Sequence, residues 1–459
     1  MIKMTLAELA EILGVKCSNP ELNFQGLSKD NRKDTGGTLY VAIVGENFDG
    51  HDFADDAFKN GAVAALVSRP LQSDVPQIIV PDTILALGTL TRHWRNQFTL
   101  PLIGVTGSNG KTTSKNMIAS ILTAACQGNS DEVLATQGNF NNAIGMPFTL
   151  TRLNKTHRYG VIEMGMSIPG EITYLTHIVQ PKAAILTNAA EAHLQGLDDV
   201  AGVAREKGYI FAGLPADGTA VLNRDDAFYD YWLEQTPQHK HITFGLDNPA
   251  DVTAVISPTH STTHQEITLT TPAGTTTVNL PLLGKHMVRN ALGATAAALA
   301  VGIDLASIKA GLENIKPEKG RITPHILKNG TRVIDDTYNA NPFSTNAAIQ
   351  TLATFAGKKI LVLADMRELG PNAVALHELT GERAREAGID YLFTYGDLTA
   401  STTKAFGENA RHFTDRAQLI EALLPFMQKD TTVLVKGSRS MKMELVLAGI
   451  MPEVAVAAH

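Results

Sequence analysis

The stretch that decides how the chain folds is Leu102-Ile103-Gly104-Val105-Thr106-Gly107-Ser108-Asn109-Gly110-Lys111-Thr112-Thr113. An apolar run of strand type leads directly into a glycine-rich turn, and a helical pattern with apolar residues on one face follows it. A strand that passes through such a turn into a helix presents backbone N–H groups and a positive helix terminus to phosphate oxygens. Lys111 is then placed to meet the β- and γ-phosphates, and the Thr112 hydroxyl to hold Mg²⁺. The segment predicts an ATP site whose residues are Gly107, Ser108, Asn109, Gly110, Lys111, Thr112 and Thr113.

The spacing of this loop departs from the common phosphate-loop pattern. That pattern places a glycine five residues before Gly110, where this chain has Val105, and Gly107 lies three residues before Gly110 instead. A purely structural turn between strand and helix is therefore the alternative. Phosphate binding is favoured because Gly-Lys-Thr-Thr falls at the predicted junction of strand and helix.

Composition restricts the class of protein. The chain has 459 residues, which at roughly 150 residues per domain predicts about three domains. Its 39 basic and 46 acidic residues give a net charge of −7, which argues against a nucleic-acid partner. Two widely spaced cysteines and an N-terminus without an apolar signal core predict a cytoplasmic protein. The longest apolar stretch, residues 291–303, is too short to span a membrane, and we expect a monomer.

Hydrophobic patterning predicts an α/β fold in three segments. The first segment, to about residue 84, has short strands near 39–44 and 62–67, and a connecting helix over 83–98 follows it. The second has strands at 102–105, 160–164 and 183–188 separated by helical patterns, which indicates a largely parallel sheet, and a β-hairpin over 267–280. The third begins near residue 317 and alternates four strands, at 332–336, 359–363, 391–395 and 432–435, with helices. This alternation is typical of a doubly wound, Rossmann-like sheet.

Polar residues at the predicted strand ends of the second segment are candidate metal ligands. Glu163 ends one apolar strand and His193 follows the next. Ligands gather beyond the carboxyl ends of strands in open α/β sheets, so Thr112, Glu163 and His193 are expected to converge on Mg²⁺. Taken singly, each is more often a surface carboxylate or a satisfied histidine. Lys207 has the pattern of an ordinary helix lysine among charge pairs.

Two further polar segments leave function open. Arg321 lies at the junction of the second and third segments, and the run 335–342 that follows is rich in donors and acceptors and ends in Asn-Pro. This run is either a ligand-binding loop or a capped turn before a helix. Residues 47–53 pack polar and aromatic groups around Gly50, which is compatible with a ligand site or with a simple turn.

Taken together, the motifs resemble the Mur ligase family, the ATP-dependent amide-forming ligases of peptidoglycan precursor synthesis. The family's loop, Gly-Thr-x-Gly-Lys-Thr/Ser, accounts for the spacing around Gly107. Within the family, the chain resembles the members that add D-alanyl-D-alanine to UDP-N-acetylmuramoyl-tripeptide, and it lacks the Asp-Asn-Pro-Arg type of motif that relatives adding the third residue carry in the last domain. The segments that carry the closer resemblance are Gly45-Glu46-Asn47-Phe48-Asp49-Gly50-His51, Asn139-Phe140-Asn141-Asn142-Ala143-Ile144-Gly145-Met146-Pro147, Asp336-Thr337-Tyr338-Asn339-Ala340-Asn341-Pro342, Asp365-Met366-Arg367-Glu368-Leu369-Gly370 and Lys436-Gly437-Ser438-Arg439.

The resemblance implies the domain roles and the residues that carry them. Residues 1–84 would form a small α/β domain that binds the UDP substrate, 85–316 the central ATP-binding domain, and 317–459 a Rossmann-like domain that closes on the active site. The implied catalytic residues are Lys111, Lys207, His193 and Arg321. The implied metal ligands are Thr112, Glu163, His193 and Lys207, the last as a carbamylated lysine, with two Mg²⁺ ions. ATP would also contact Asn290, Arg321 and Asp336. The implied substrate residues are Ser28, Arg32, Asp49, Gly50 and His51 for the uridine diphosphate, and Asn141 and Asn142 for the muramoyl peptide.

The resemblance also implies a stepwise mechanism. ATP would phosphorylate the terminal carboxylate of the tripeptide, and the amine of D-alanyl-D-alanine would attack the resulting acyl phosphate. Two alternatives remain at the level of the sequence. One is a related ligase of the folyl-polyglutamate type, and the other is a phosphate-loop protein that binds nucleotide as a switch and forms no amide.

Overall fold

The computed structural model describes residues 1–32, 35–45, 47–190, 199–258, 261 and 263–451. Its strands and helices form three α/β units in chain order, as the patterning predicts. No helix within these ranges is both long and apolar enough to cross a bilayer. The domain boundaries at residues 84 and 316 stay predictions.

The first unit contains a two-stranded antiparallel sheet and a four-stranded parallel sheet. Its elements are β1 (Lys3–Thr5), α1 (Leu6–Leu13), β2 (Asn23–Gln25), β3 (Leu27–Ser28), β4 (Leu39–Val41), α2 (Ala54–Lys59), β5 (Ala64–Val67), β6 (Gln77–Ile79) and α3 (Thr83–Arg95). Strand β4 is shorter than the predicted 39–44, because beyond Val41 the backbone carbonyls turn to other partners: the Thr83 hydroxyl donates to Ala42 and the Gly50 N–H to Ile43. Asp82 caps α3 by accepting from the N–H groups of Ile84 and Leu85, which fixes where the connecting helix begins.

The second unit is built on a six-stranded parallel sheet in the order β12-β11-β10-β7-β9-β8. Its elements are β7 (Leu102–Thr106), α4 (Lys111–Ala125), β8 (Val133–Ala135), α5 (Gly145–Leu150), β9 (Tyr159–Glu163), α6 (Glu171–Val179), β10 (Ala183–Leu186), α7 (Val200–Gly208), β11 (Thr219–Asn223), α8 (Tyr229–Glu234) and β12 (Lys240–Phe244). The antiparallel strands β13 (Thr253–Ile256), β14 (Gln265–Thr271) and β15 (Gly274–Leu280) and the helices α9 (Lys285–Ala300) and α10 (Leu305–Glu313) follow. The predicted hairpin is thus β14 and β15, and it belongs to a three-stranded sheet of its own.

The third unit carries the order β16-β17-β21-β18-β19-β20, parallel except for β16. Its elements are β16 (Thr323–Ile326), β17 (Arg332–Asp336), α11 (Pro342–Ala353), β18 (Lys358–Ala364), α12 (Ala373–Glu386), β19 (Tyr391–Tyr395), α13 (Thr399–Phe406), β20 (Ala410–Phe413), α14 (Arg416–Leu423), β21 (Thr431–Lys436) and α15 (Glu444–Ile450). Because the chain returns to place β21 between β17 and β18, the loops after these three strands meet at one edge of the sheet, where open α/β sheets bind ligands.

Alternation of side chains explains why both large sheets are covered on each face. In β7, Ile103 and Val105 enter one apolar cluster while Leu102 enters another, since successive side chains of a strand point to opposite faces. One of these clusters is continuous across the second and third units, because Ile334 and Leu361 belong to the same cluster as Ile103. The first unit has two clusters of its own, formed around Leu9 and Leu66 and around Ala57 and Ala65.

Close packing of α10 on α4 yields a stability prediction. A Cβ on Gly311 would overlap the backbone of Ile121, so Gly311→Ala should lower the free energy of unfolding by about 1–3 kcal/mol, although alanine is the better helix former. Denaturant unfolding measures the change. The control Ala306→Gly, at an exposed position of the same helix, should cost at most about 1 kcal/mol. A Gly311→Ala protein as stable as the parent would contradict the packing argument.

Candidate active site

A cavity of about 1000 Å³ lies at the carboxyl ends of the parallel strands, between the second and third units. The phosphate loop borders it on one side, with Asn109 and Lys111, and the end of β17 borders it on the other, with Asp336. The lining residues come from both units, from Ser108 in the phosphate loop to Ser440 after β21. Of the sequence-predicted ATP residues, all but Gly107 line this cavity.

Two glycines of the loop are required by geometry. Gly107 has φ of 146° and Gly110 has φ of 79°, both in the region that favours glycine. A Cβ on Gly107 would overlap the Thr187 hydroxyl, and one on Gly110 would overlap the side-chain oxygen of Asn290. Val105, at the position where the common pattern has glycine, is fully buried in β7. The spacing around Gly107 therefore follows from contacts with the strand end at Thr187 and with helix α9.

Side chains from the end of β10 hold the backbone of the loop. The Asn109 N–H donates to the side-chain oxygen of Asn188 at 3.0 Å, and the Asn188 amide and the Thr187 hydroxyl both donate to the Asn109 carbonyl. The Ser108 hydroxyl accepts from the N–H of Ala190 at 3.0 Å. These bonds leave the loop preorganised, so that binding a phosphate would require little rearrangement of its backbone.

Lys111 begins α4 and lies inside the cavity. Its ammonium donates to the carbonyls of Gly107 at 2.6 Å and Ser108 at 3.2 Å. Burial lowers the pKa of Lys111, the nearby carboxylate of Glu163 opposes this, and the Arg321 guanidinium adds to the lowering. The cation is thus held over the loop, where a phosphate oxygen would meet it.

Glu163, at the end of β9, has hydrogen-bond donors on only one of its two carboxylate oxygens among the described residues. Its Oε1 accepts from the Asn141 amide at 2.9 Å and from the Thr112 hydroxyl at 3.3 Å. Its Oε2 is buried and has no hydrogen-bond partner among the described residues. A hydroxyl beside an uncompensated carboxylate oxygen fits a hard divalent cation such as Mg²⁺.

The predicted set of metal ligands is only partly visible in the described residues. Within the described ranges, no group of three or more His, Cys, Asp or Glu side chains is arranged to hold a metal ion. His193 lies outside the described residues, so the predicted convergence of Thr112, Glu163 and His193 is seen only for the first two.

Lys207, in the last turn of α7, is fully buried. Its Nζ has no hydrogen-bond partner among the described residues, and burial, assisted by the charge of Lys111, lowers its pKa far below the usual value. The interpretation of Lys207 as an ordinary helix lysine is therefore wrong, since such a lysine would keep its ammonium in water. A buried neutral amine is nucleophilic and can form a carbamate with CO₂, and the resulting carboxylate would suit a cation.

The third unit contributes a buried ion pair that the sequence analysis did not identify. The Lys436 ammonium donates to Oδ2 of Asp336 at 2.6 Å and to the carbonyl of Asn339 at 2.9 Å. Burial raises the pKa of Asp336, and Lys436 opposes that rise. The signal was a charged residue at the end of the apolar run 432–435, which places a lysine at the edge of the sheet where ligands bind.

Arg321 connects the two sides of the cavity. Its guanidinium donates to the Thr112 hydroxyl at 3.3 Å and lies 4.2 Å from the centre of the Tyr338 ring.

Asn290, the predicted adenine contact, lines the cavity at the loop beside Gly110. Close to it, the half-buried His286 lies near Lys436 and Arg289, and loss of solvation, with these two charges, lowers the pKa of His286 to about 4.

Three of the predicted uridine diphosphate residues, Asp49, Gly50 and His51, lie together in the first unit. Asp49 accepts from the His51 backbone N–H at 2.9 Å and from its ring Nδ1 at 2.5 Å. These two bonds, together with a bond from Arg69, lower the pKa of Asp49 to about 2. Nε2 of His51 accepts from the N–H of Ser68, which fixes the tautomer. The carbonyl of Gly50 accepts from the Tyr40 hydroxyl.

The remaining members of the two predicted substrate groups lie at different places. Ser28 hydrogen-bonds within its own turn, and Arg32 pairs with Asp30 at the surface. Asn141 and Asn142 line the cavity instead, and Asn142 caps the turn into α5 by accepting from Gly145. The predicted substrate residues thus divide between the cavity and the first unit.

Comparisons with known proteins cover nearly the whole chain. Family models match residues 23–95 as "Mur ligase family, catalytic domain", 105–298 as "Mur ligase middle domain" and 320–439 as "Mur ligase, glutamate ligase domain". The chain is 43% identical to the UDP-N-acetylmuramoyl-tripeptide–D-alanyl-D-alanine ligase of Escherichia coli, over 98% of this chain and 99% of that protein. The crystal structure I of MurF from Acinetobacter baumannii superposes with a TM-score of 0.93 at 33% identity, covering 98% of this chain and 99% of the other. The MurF ligase of Thermotoga maritima in complex with ADP superposes with a TM-score of 0.82 at 27% identity, covering 94% and 97%.

A phosphate loop that faces a second α/β unit across a single cavity defines an enzyme that handles a nucleotide between two domains. The matches give that enzyme its class. The chain belongs to the Mur ligase family, it has that family's three-domain architecture, and it is a ligase.

The buried ion pair of the third unit allows a test by stability. Lys436→Met should lower the free energy of unfolding by about 3–5 kcal/mol, because it leaves the Asp336 carboxylate buried without its cation. Adding Asp336→Asn should recover most of that loss. Lys59→Met, which breaks the exposed pair with Asp56, is the control and should cause no resolvable change. Equal effects of the two lysine substitutions in urea unfolding would contradict the assigned burial.

Proposed function

We propose that this protein joins D-alanyl-D-alanine to UDP-N-acetylmuramoyl-tripeptide, with ATP as the energy source and an acyl phosphate as the intermediate. The observation that carries the proposal is the single cavity in which the phosphate loop, Glu163 and Arg321 face one another. The relatives named for this reaction match nearly the full chain, which supports the same substrates here. We also propose that the protein works in the cytoplasm, where ATP is supplied, and as a monomer, because one chain supplies both sides of the cavity.

The first step activates a carboxylate. Loop N–H groups and Lys111 would bind the β- and γ-phosphates of ATP, and Arg321 would reach the γ-phosphate from the third unit. An oxygen of the tripeptide's terminal carboxylate attacks the γ-phosphorus, the bond to the bridging oxygen of ADP breaks, and an acyl phosphate results. This transfer depends on positioning and on charge neutralisation, which the convergence of Lys111 and Arg321 on the loop would supply.

The second step forms the amide. The neutral amine of D-alanyl-D-alanine attacks the carbonyl carbon of the acyl phosphate, and phosphate leaves with the electron pair of the C–O bond. The amine loses its proton to solvent or to the departing phosphate. Closing the cavity between the two units would keep water away from the acyl phosphate, which water would otherwise hydrolyse.

Mg²⁺ would neutralise the charge of the phosphates, and two ions are proposed. Thr112 and Glu163 would hold one ion, because the Thr112 hydroxyl bonds one oxygen of the carboxylate and the other oxygen is buried with no partner among the described residues. His193 is proposed as a further ligand. Lys207 would help to hold the second ion after its amine adds to CO₂ and releases a proton, which gives a carbamate.

The remaining contacts are proposed from position. Asn290, beside the loop, would meet the adenine, and Asp336, at the end of β17, the ribose. Asn141 and Asn142 would face the muramoyl peptide. In the first unit Ser28, Arg32, Asp49, Gly50 and His51 would bind the uridine diphosphate, and there Asp49 and the Ser68 N–H hold the buried imidazole of His51 in place.

An assay with the three substrates tests the proposed reaction. ATP, UDP-N-acetylmuramoyl-tripeptide and D-alanyl-D-alanine together should release phosphate and give the pentapeptide product, followed by mass spectrometry. Tripeptides with lysine and with diaminopimelate at the third position should both be supplied. Phosphate release at background with both would refute the proposal, and turnover with folate and glutamate would instead support the folyl-polyglutamate type of ligase.

Lys207→Ala tests the proposed carbamate. This variant should lose turnover by at least about a hundredfold, because a metal ligand is removed, and short carboxylic acids should restore part of it by replacing the carbamate. Lys182→Ala, at a half-buried lysine whose partner is Asp217, is the matched control and should keep full activity. A fully active Lys207→Ala protein would refute the metal site. Nucleotide binding by the wild-type protein without amide formation, and unchanged in Lys207→Ala, would instead favour a nucleotide switch.

A further inference from the structure

Three side chains of the phosphate loop and the first turns of α4 are bonded to residues at the start of the third unit or within it. The hydrogen bonds join Asn109 to Asn341 at 2.8 Å, Thr112 to Arg321 at 3.3 Å and Asn116 to Glu318 at 2.6 Å. The third unit therefore rests on the segment that would bind the phosphates, rather than on a surface remote from it.

The bond between Asn109 and Asn341 has a defined direction. Asn341 is the N-cap of α11, and its side-chain oxygen accepts from the N–H of Ser344 at 2.8 Å. This cap fixes the orientation of the amide, so that its nitrogen is turned toward the loop and donates to Oδ1 of Asn109. The helix cap thus determines which atom of the third unit meets the phosphate loop.

Asn109 is held from both sides. The second unit holds its backbone through Asn188 and Thr187, and Asn341 holds its side chain. Its own amide nitrogen is buried and has no partner among the described residues. Asn109 therefore joins the phosphate loop to the N-terminus of α11.

We infer that Asn341 is a positioning residue that docks the third unit onto the phosphate loop through Asn109. In the docked arrangement Arg321 and Asp336 face the loop across the cavity, so a nucleotide that contacts both sides binds this arrangement best. The inference rests on the proposed function only in requiring a nucleotide at this loop.

The size of the effect follows from the strength of one hydrogen bond. Losing a single bond of this kind changes an equilibrium by roughly two- to tenfold. Because the nucleotide binds the docked arrangement best, its apparent dissociation constant should rise by at most the same factor, and by less where the docked arrangement already predominates.

Asn341→Ser separates docking from helix capping. Serine caps helices about as well as asparagine, but its hydroxyl is too short to cap α11 and reach Asn109 at once. The variant should bind Mg-ADP more weakly by calorimetry, by up to about tenfold. It should also have a larger radius of gyration by small-angle X-ray scattering, with an unchanged melting temperature.

The partner and the control complete the experiment. Asn109→Ala should weaken Mg-ADP binding as well, and Asn341→Ser added to it should have no further effect, since the bond is already absent. The control is Asp415→Ser. Asp415 caps α14 by accepting from the Gln418 N–H and does not line the cavity, so this substitution should leave the affinity for Mg-ADP and the radius of gyration unchanged.

Three results would overturn the inference. They are unchanged nucleotide affinity in Asn341→Ser, an effect of that substitution that is equally large in the Asn109→Ala background, and an equal loss of affinity in Asp415→Ser. Binding of ADP and scattering require no acceptor amine. A wild-type protein that docks and binds as expected but forms no amide would therefore count against the proposed function alone.

Discussion

The structure depends on the close approach of bare backbone at Gly107 and Gly110. At each position the space that a Cβ would take is occupied, by Thr187 in one case and by Asn290 in the other. These contacts pull the end of β10 and the start of α9 against the loop, and both elements then supply residues to the cavity. The site is therefore assembled around a constraint on the main chain, and its side chains take their places from that constraint.

Charge that is buried and only partly compensated is the second organising feature. Lys207 and one oxygen of Glu163 are buried without a hydrogen-bond partner in the described part of the chain, and Lys111 is satisfied only by carbonyls of its own loop. A protein does not hold such groups for stability, because each costs free energy unless a ligand completes it. Asp336 with Lys436, by contrast, is a completed pair beside the same cavity.

Sequence patterns predicted the fold well and the site in part. Apolar runs and the glycine loop predicted the parallel sheets, since strands buried on both faces leave a strong local signal. Lys207 has no such signal: its burial arises from packing of α7, and the neighbouring residues in sequence suggest an exposed helix. Lys436 ends an apolar run, but its role does not follow from the local pattern, because its partner Asp336 is 100 residues away. The bond from Asn341 to Asn109 also depends on how two separate units meet, which local sequence does not encode.

The apolar cluster shared by the second and third units has a consequence for how the protein comes apart. Ile103 and Ile334 belong to one continuous core, whereas the first unit is built around separate clusters. Moving the third unit away therefore exposes apolar surface on the second unit as well, and heat should loosen these two partners in nucleotide handling together. The unit assigned to the uridine diphosphate keeps its own clusters but is bonded to the second unit, as where the Trp94 indole donates to the Leu153 carbonyl.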